Sequence, residues 1–324
     1  MNIVRFSPWV RRYLGLAAAT MAALSLIPVA PLVVAAQEAS PVAEEEAVPE
    51  GVTFEFLAQA VAEEVPEAPA FVGLYRITVS PGAGDQIEPD PGVELVLLES
   101  GALMLDFEGP ATVVRAGAPG TPAPQEEVTL NAGDAFLVSG GGFAARNDGA
   151  EPAQVVGLGV FPAGEEAAAA EGTPAAEEEM AGITFQPLVQ GVAAELPQEA
   201  TSLVLLRVTL EPGASAPPEE PHAGPELIFL ESGSVTVTVT AGEAYILRAS
   251  DMATPGAEME VGDLATVGEE ITLEAGDAFF AHTGSVEEVR NPGEEPTVAL
   301  VGVVAPAGHE EAEQEEAAHA TPVP

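Results

Sequence analysis

The stretch "PHAGPELIFLESG" (221–233) contains a histidine and a nearby glutamate, both able to bind a metal ion. His222, one of four histidines in the chain, stands four residues before Glu226. An imidazole nitrogen and a carboxylate oxygen are donors that many divalent metals accept. Two donors do not complete a site, which leaves two interpretations open. Either His222 is a metal ligand beside Glu226, or it is the remnant of a site that has otherwise been lost.

This stretch belongs to the second copy of a repeat that fills most of the chain. "GVTFEFLAQAVAEEVPEA" returns as "GITFQPLVQGVAAELPQEA", "ELVLLESGALML" as "ELIFLESGSVTV", and "VTLNAGDAFLV" as "ITLEAGDAFFA". The offset between the copies grows along the chain because the second copy has an enlarged loop around "DMATPGAEMEVGD". The repeat predicts two domains of the same fold, at 51–164 and 182–308.

Short strands separated by turns make up both copies. "SVTVTVT" (234–240) alternates with period two, as a half-buried strand does, and "ELVLLE" and "TVALVGVV" are apolar runs of strand length. Turn sequences such as "SPGAG", "NAGD" and "NPGEEP" separate them. No long stretch has a helical period. The pattern predicts an all-β protein with an antiparallel sandwich or barrel in each copy.

Three acidic segments surround the copies, at 37–50, 165–181 and 309–324. They are rich in Ala, Glu and Pro and nearly free of large apolar side chains. Such segments bury too little surface to offset the entropy cost of ordering, so we expect two disordered linkers and a disordered tail. His309 and His319 fall in the tail and are assigned to it.

Residues 1–36 have the pattern of a bacterial export signal. A basic start is followed by a long uncharged run that ends in "VAA", which predicts a signal peptide cleaved after Ala36 and a secreted or extracytoplasmic protein. An uncleaved membrane anchor is the alternative, because the apolar run is nearly long enough to span a bilayer. "RRYLG" leaves both the general and the twin-arginine export routes open. Once the signal is cleaved, we expect no stable association with the membrane.

The chain that remains after cleavage is strongly acidic. Residues 1–36 hold three of the nine cations and none of the 52 acidic residues, which leaves six arginines, no lysine and a formal charge of −46. This charge repels nucleic acids and anionic membranes and excludes DNA and RNA as partners. The absence of cysteine excludes disulfides and thiol catalysis.

The turn residues of both copies resemble the motifs of the cupin superfamily, specifically a bicupin. In the second copy the motif positions are Gly213, Glu220, His222, Glu226, Gly233, Gly276, Asp277, Gly284, Glu287 and Asn291. In the first copy they are Gly82, Glu88, Asp90, Glu94, Gly101, Gly133, Asp134, Gly141 and Asn147. The resemblance implies two tandem jelly-roll β-barrels, and family members typically hold a metal through three histidines and one glutamate.

The second copy departs from that ligand set, because Glu220 and Glu287 stand where two of the family's histidines would be. Together with His222 and Glu226 they form a candidate set of one nitrogen donor and three carboxylates. Such a set suits Mn²⁺ or another fairly hard cation better than zinc or copper. The alternative is that Glu220 and Glu287 point to water. His282 is either an additional nitrogen donor or a residue that caps a turn.

The first copy lacks histidine altogether. Glu88, Asp90 and Glu94 are an all-oxygen set that can at most suit Ca²⁺ or Mg²⁺. Phe143 falls near the remaining ligand position, where it would narrow the cavity. We interpret this copy as a lost site retained for structure.

The six arginines of the mature chain occur at matched positions of the two copies. The pairs are Arg76 and Arg207, Arg115 and Arg248, and Arg146 and Arg290. One explanation is structural, with each guanidinium anchoring a carboxylate. The other is that Arg115 and Arg248 line the barrels and bind a small anionic molecule.

These patterns favour a secreted bicupin with a largely lost metal site, which binds a small ligand or has a structural role. No cofactor is expected, and if one is bound it is a divalent metal such as Mn or Fe in the second barrel. Two alternatives remain open. One is a metal-dependent enzyme of the oxygenase, decarboxylase or isomerase type that uses the second barrel. The other is an acidic extracellular scaffold.

Overall fold

The computed structural model describes residues 49–163, 178–180, 182–198, 200–217, 220–249 and 262–307. The predicted signal peptide, most of the three acidic segments and most of the enlarged loop lie outside these residues. The described part is all-β, as predicted, and it contains no helix that is long and apolar enough to cross a membrane.

Within the described residues, each repeat contributes eleven strands. The strands of the first repeat are β1 (Val52–Ala62), β2 (Ala70–Val79), β3 (Gly84–Ile87), β4 (Val93–Ser100), β5 (Ala102–Glu108), β6 (Ala111–Val114), β7 (Thr121–Pro122), β8 (Val128–Asn131), β9 (Ala135–Ser139), β10 (Gly142–Arg146) and β11 (Ala153–Pro162). A short strand, β12 (Glu178–Met180), precedes the second repeat. The strands of the second repeat are β13 (Ile183–Ala193), β14 (Thr201–Leu210), β15 (Ser215–Ala216), β16 (Glu226–Ser232), β17 (Ser234–Ala241), β18 (Ala244–Leu247), β19 (Asp263–Leu264), β20 (Glu270–Glu274), β21 (Ala278–Ala281), β22 (Val286–Arg290) and β23 (Thr297–Pro306).

The strands form four antiparallel sheets, a large and a small one for each barrel. The first barrel has an eight-stranded sheet, β12-β13-β2-β11-β4-β9-β6-β7, and a four-stranded sheet, β3-β10-β5-β8. The second has a seven-stranded sheet, β1-β14-β23-β16-β21-β18-β19, and a four-stranded sheet, β15-β22-β17-β20. This pair of two-sheet barrels is the jelly-roll arrangement that the motifs implied.

The apolar residues form one core inside each barrel and a third core between the barrels. The core of the first barrel includes Val96, Leu98, Leu105, Leu130 and Phe136, and that of the second includes Leu206, Val235, Val237, Leu273 and Phe279. The core between the two large sheets includes Leu74, Leu95, Leu158, Leu203, Leu205 and Leu300. A strand of a large sheet therefore has a core on both faces, which explains why "ELVLLE" is apolar without alternation.

The two repeats exchange their first strands. β1 runs antiparallel to β14 of the second repeat, with Val52 opposite Leu210. β13 in turn runs antiparallel to β2 of the first repeat, with Ile183 opposite Val79. The repeats are consecutive along the chain, but each large sheet contains one strand from the other repeat.

A four-membered ion network links the large sheets at matched positions. Arg76 Nε lies 2.9 Å from Glu99 and its Nη2 lies 2.7 Å from Glu231. Arg207 mirrors this arrangement, with Nε 2.7 Å from Glu231 and Nη2 3.0 Å from Glu99. The two guanidiniums anchor carboxylates, which agrees with the structural explanation for the arginines. Glu99 and Glu231 each accept charged hydrogen bonds from an arginine of each repeat.

Candidate metal centre

The loop between β15 and β16 places His222 against the start of β22. The His222 N–H donates to the Ser285 carbonyl at 3.0 Å, and the Gly284 N–H donates to the His222 carbonyl at 2.8 Å. Glu226 is the first residue of β16 in the large sheet, and Glu287 lies on β22 in the small sheet. Backbone hydrogen bonds therefore fix the histidine between carboxylates that come from the two sheets of one barrel.

The three side chains converge closely enough to hold one ion. His222 Nδ1 is 3.3 Å from Glu226 Oε2, and His222 Nε2 is 2.6 Å from Glu287 Oε1. One donor atom from each of the three residues lies within 4.8 Å of the other two. The exposed fraction of the side chains falls from 26% for His222 and 18% for Glu226 to 6% for Glu287. The group is thus reached from one side and closed on the other.

Glu287 has a carboxylate oxygen without a partner. Its Oε2 atom is buried and has no hydrogen-bond donor within the described part of the chain. A buried carboxylate oxygen left unpaired costs on the order of 1–3 kcal/mol, and more when the group is charged. The three converging donors and this unpaired carboxylate oxygen together fit a divalent metal.

The structure does not bring Glu220 or His282 into this group. Glu220 is exposed and is not among the three converging residues, so its part as a fourth ligand stays a prediction. The His282 ring packs edge-on against Phe280 and Tyr245, with ring centroids 4.9 and 5.4 Å apart. Burial lowers the pKa of His282, although the Glu243 charge acts in the opposite direction. Its carbonyl accepts the Ser285 hydroxyl at 2.7 Å, a contact within a turn.

In the first barrel, a tyrosine is hydrogen-bonded to Glu94, the glutamate at the position equivalent to Glu226. The Tyr75 hydroxyl donates to Glu94 Oε1 at 2.9 Å. Room for this ring comes from Gly157, where an added Cβ would overlap the Tyr75 ring and hydroxyl. The second repeat has Leu206 and Val301 at these two positions. Glu94 therefore has a phenol as its partner, and the structure places no histidine beside it.

The pKa values of two carboxyl groups in the first barrel, Glu94 and Asp90, are raised. Burial raises the pKa of Glu94 to about 7, assisted by the Asp90 charge and opposed by the Tyr75 hydrogen bond. Burial likewise raises the pKa of Asp90 to about 6, against the Gly92 N–H that donates to it. Glu88 is exposed. The described residues of the first barrel contain no group of three metal donors comparable to the one around His222.

Phe143 fills space in the first barrel, as predicted from its position. It is 8% exposed, and its ring lies 5.1 Å from that of Phe136 and 6.2 Å from that of Phe107. The three rings are part of the barrel core.

Arg115 and Arg248 make the same contacts in the two barrels. Arg115 Nη1 donates to Asp134 Oδ2 at 2.7 Å and to the Thr129 carbonyl at 2.9 Å. Arg248 Nη1 donates to Asp277 Oδ2 at 2.7 Å and to a backbone carbonyl at the same distance. These contacts match the structural explanation for the arginines. The binding of a small anion by Arg115 and Arg248 stays a prediction.

Replacement of Arg248 by alanine is expected to lower the free energy of unfolding by about 1–2 kcal/mol, because the buried Asp277 loses a charged donor. Arg290→Ala is the matched control, since Arg290 pairs with the exposed Glu270. Its expected cost is below about 1 kcal/mol. Urea unfolding of both variants measures the difference, and equal costs would contradict the structural role.

Of three comparisons with known proteins, the one with solved structures found similar proteins. No protein-family model matches the chain, and no curated protein matches its sequence. Solved structures similar to it include a cupin 2 conserved barrel domain protein from Leptotrichia buccalis, with 11% identity, a TM-score of 0.34 and coverage of 80% of this chain and 98% of that one. Another is a Lactobacillus farciminis oxalate decarboxylase in a formate complex, with 11% identity, a TM-score of 0.40 and coverage of 85% and 95%.

A third similar structure is a Bacillus subtilis oxalate decarboxylase studied for its Mn(II) centers. It has 14% identity and a TM-score of 0.38, with coverage of 80% of this chain and 79% of that one. The described residues of the present chain form two jelly-roll barrels, and the second barrel contains a candidate metal site.

Sequence reasoning missed Tyr75, although the repeat contains a signal for it. Aligning "LYRITV" with "LLRVTL" and "VVGLGVF" with "ALVGVVA" shows a larger residue at 75 and a smaller one at 157 than in the second repeat. Opposite changes of size at two positions indicate side chains that share one space. The alignment thus indicates a ring packed over a glycine.

Proposed function

We propose that this chain is an exported bicupin whose second barrel binds one divalent metal ion, Mn²⁺ or Fe²⁺, through His222, Glu226 and Glu287. The observation that carries the proposal is the convergence of donor atoms from His222, Glu226 and Glu287 within 4.8 Å of one another, in a group where Glu287 also has a buried Oε2 atom without a partner. The signal-like pattern of residues 1–36 supports export. The first barrel has a structural role in this proposal, because Glu94, the equivalent of Glu226, accepts a hydrogen bond from Tyr75.

The donor set determines which metals are favoured. One imidazole and two carboxylates bring two negative charges, which balance a divalent cation. Carboxylate oxygens suit Mn²⁺, and a single imidazole is compatible with Mn²⁺ and Fe²⁺, whereas thiolate donors are absent from the chain. We therefore expect manganese or iron in preference to copper.

Elemental analysis of the mature chain, residues 37–324, tests this assignment. After incubation with Mn²⁺ and gel filtration we expect about one Mn per chain, and Glu287→Gln should lower retention at least about tenfold, because it removes a charged ligand. Glu94→Gln is the same substitution in the first barrel and should leave retention unchanged. Equal metal contents in wild type and Glu287→Gln, or no retained metal in the wild type, would contradict the proposal.

A metal-dependent enzyme is the second candidate, and one observation favours it. Three protein donors leave positions open on a metal that takes six ligands, and His222 and Glu226 are partly exposed. A metal bound there would act as a Lewis acid or a redox centre toward a bound substrate. An oxygen-consumption and decarboxylation screen of the Mn-loaded and Fe-loaded protein tests this candidate against Glu287→Gln.

A further inference from the structure

Every arginine of the mature chain is paired with a carboxylate. The six arginines all lie in the described part of the chain, and the sequence contains no lysine. The pairs are Arg76 and Arg207 with Glu99 and Glu231, Arg115 with Asp134, Arg146 with Glu127 and Asp148, Arg248 with Asp277, and Arg290 with Glu270. An anionic ligand would have to compete with one of these carboxylates to gain an arginine as its partner.

Two arginines of the second repeat lie on strands of the barrel but face away from the candidate metal centre. Arg290 is three residues from Glu287 on β22, so their side chains project from opposite faces of that strand. Its partner, Glu270, is exposed. Arg207 stands opposite Leu300, which belongs to the core between the large sheets and not to the core of the second barrel.

The third arginine of this repeat, Arg248, is distant from the centre along the sheet. It is bound to Asp277, whose backbone carbonyl accepts the Leu230 N–H. Leu230 is four residues from Glu226 on β16, which is about 13 Å along a β-strand. A carboxylate bound at the metal centre would therefore have no arginine of this repeat beside it.

The walls next to the metal donors are aliphatic in both sheets. Residues that stand opposite each other in an antiparallel pair project from the same face. By this register Glu226 has Ala281 and Val303 as neighbours, and Glu287 has Val239. All three neighbours belong to the apolar core of the second barrel or pack against it. The walls offer contacts to methyl and methylene groups, and they offer no counter-charge to an anion.

The donor set adds an electrostatic reason for the same selectivity. The carboxylates of Glu226 and Glu287 balance the charge of a divalent metal, so a neutral ligand leaves the centre neutral. A carboxylate ligand would bring an uncompensated negative charge into a partly buried site, which is costly. The formal charge of −46 on the mature chain repels anions further.

From these observations we propose that the metal centre of the second barrel takes a neutral ligand, with hydroxyl and carbonyl oxygens on an aliphatic body, and discriminates against carboxylates of the same shape. This inference rests on the metal binding proposed above and names the class of ligand for that site. Hydroxyl and carbonyl oxygens are neutral donors that suit Mn²⁺. The aliphatic body would gain free energy by packing against Ala281, Val303 and Val239.

Two compounds of nearly identical shape test the proposal, neutral α-hydroxyisobutyramide and the anion α-hydroxyisobutyrate. The mature chain is loaded with Mn²⁺, freed of excess metal by gel filtration and titrated with each compound. The relaxation rate of water protons reports the displacement of water from the metal, and free Mn²⁺ in the same buffer is the control. We expect the ratio of carboxylate affinity to amide affinity to be at least about tenfold lower in the protein than for the free ion, a difference of about 1.4 kcal/mol.

The salt dependence separates the local site from the charge of the whole chain. In about 1 M salt the Debye length is about 3 Å, so repulsion by distant surface charges is screened whereas the effect of the walls remains. We expect the lowered ratio to persist at this salt concentration. A ratio equal to that of free Mn²⁺, at either salt concentration, would overturn the proposal.

Glycolamide, which lacks the methyl groups of α-hydroxyisobutyramide, tests the contact with the aliphatic walls. We expect it to bind the Mn-loaded protein at least about threefold more weakly, because less apolar surface is buried. Equal affinities of the two amides would contradict that contact. The Mn content measured before the titrations keeps the two proposals apart, because a loaded chain without metal contradicts the metal site itself.

Discussion

Gly157→Val is expected to lower the free energy of unfolding by about 3 kcal/mol, the upper range for overpacking a core. A Cβ at position 157 would overlap the Tyr75 ring and hydroxyl. Tyr75 is hydrogen-bonded to Glu94 and its ring lies 5.3 Å from that of Phe185, so moving the ring away would cost these contacts. Urea unfolding monitored by circular dichroism gives the change.

The second repeat supplies the control for this prediction. Tyr75→Leu combined with Gly157→Val recreates the pair Leu206 and Val301. We expect the double variant to recover more than half of the lost stability, because the overlap is removed while Glu94 loses one hydrogen bond worth about 1 kcal/mol. A double variant as unstable as Gly157→Val would mean that the glycine is required for another reason.

The second large effect is a loss of stability as the pH rises through neutrality. The pKa of Glu94 is about 7 in the folded protein, against an ordinary value of 4.5, and therefore the native state binds this proton more tightly than the unfolded chain does. The stability from this group is fully present below pH 4.5 and is lost as the pH rises through 7. The shift corresponds to about 3 kcal/mol for this buried carboxyl.

Glu94→Gln isolates this contribution, since glutamine can still accept the Tyr75 hydrogen bond. We expect the variant to match the wild type near pH 4.5 and to be more stable by about 3 kcal/mol at pH 8. Urea unfolding at several pH values provides the comparison. If the free energy of unfolding depended on pH in the same way in both proteins, Glu94 would not be the cause of the stability lost at high pH.

The loss of folding stability that we expect at low pH has other causes. Burial tends to raise the pKa of Asp134 and Asp277, but hydrogen bonds from backbone N–H groups and arginines outweigh it and lower both below the ordinary value. Stability from these two groups is present above that value and is lost as the pH falls below it.

The sequence predicted the barrels because their local signals agree. The "NAGD" and "EAGD" turns place Gly133 and Gly276 at positive φ, 87° and 90°, where glycine is favoured. The aspartates that follow accept backbone N–H bonds of the turn. Such signals depend only on neighbouring residues and can be read without knowledge of the fold.

Strand exchange could not be predicted in the same way. "VTFEFLAQAVA" and "ITFQPLVQGVA" are so similar that each can pair with either β2 or β14. The choice depends on the path of the connecting chain and on the core between the barrels, which are properties of the whole molecule. Only the three-dimensional arrangement distinguishes exchanged from unexchanged repeats.

The candidate site was predicted in part. The motif register placed Glu287 beside His222 and Glu226, and these three converge in the structure. Glu220 is exposed in the loop before His222 and is not among the three converging residues, so its role as a ligand stays a prediction. The motif spacing in the sequence gives the order of residues in a loop, whereas the direction of each side chain depends on how the loop packs against the sheet.

We propose that the two barrels have diverged, so that only the second binds a metal. Titration of the metal-free mature chain with Mn²⁺ in a calorimeter tests it most directly, because the stoichiometry counts the sites. We expect one site per chain, lost in Glu287→Gln and retained in Glu94→Gln. Two equivalent sites, or no binding to the wild type, would contradict it.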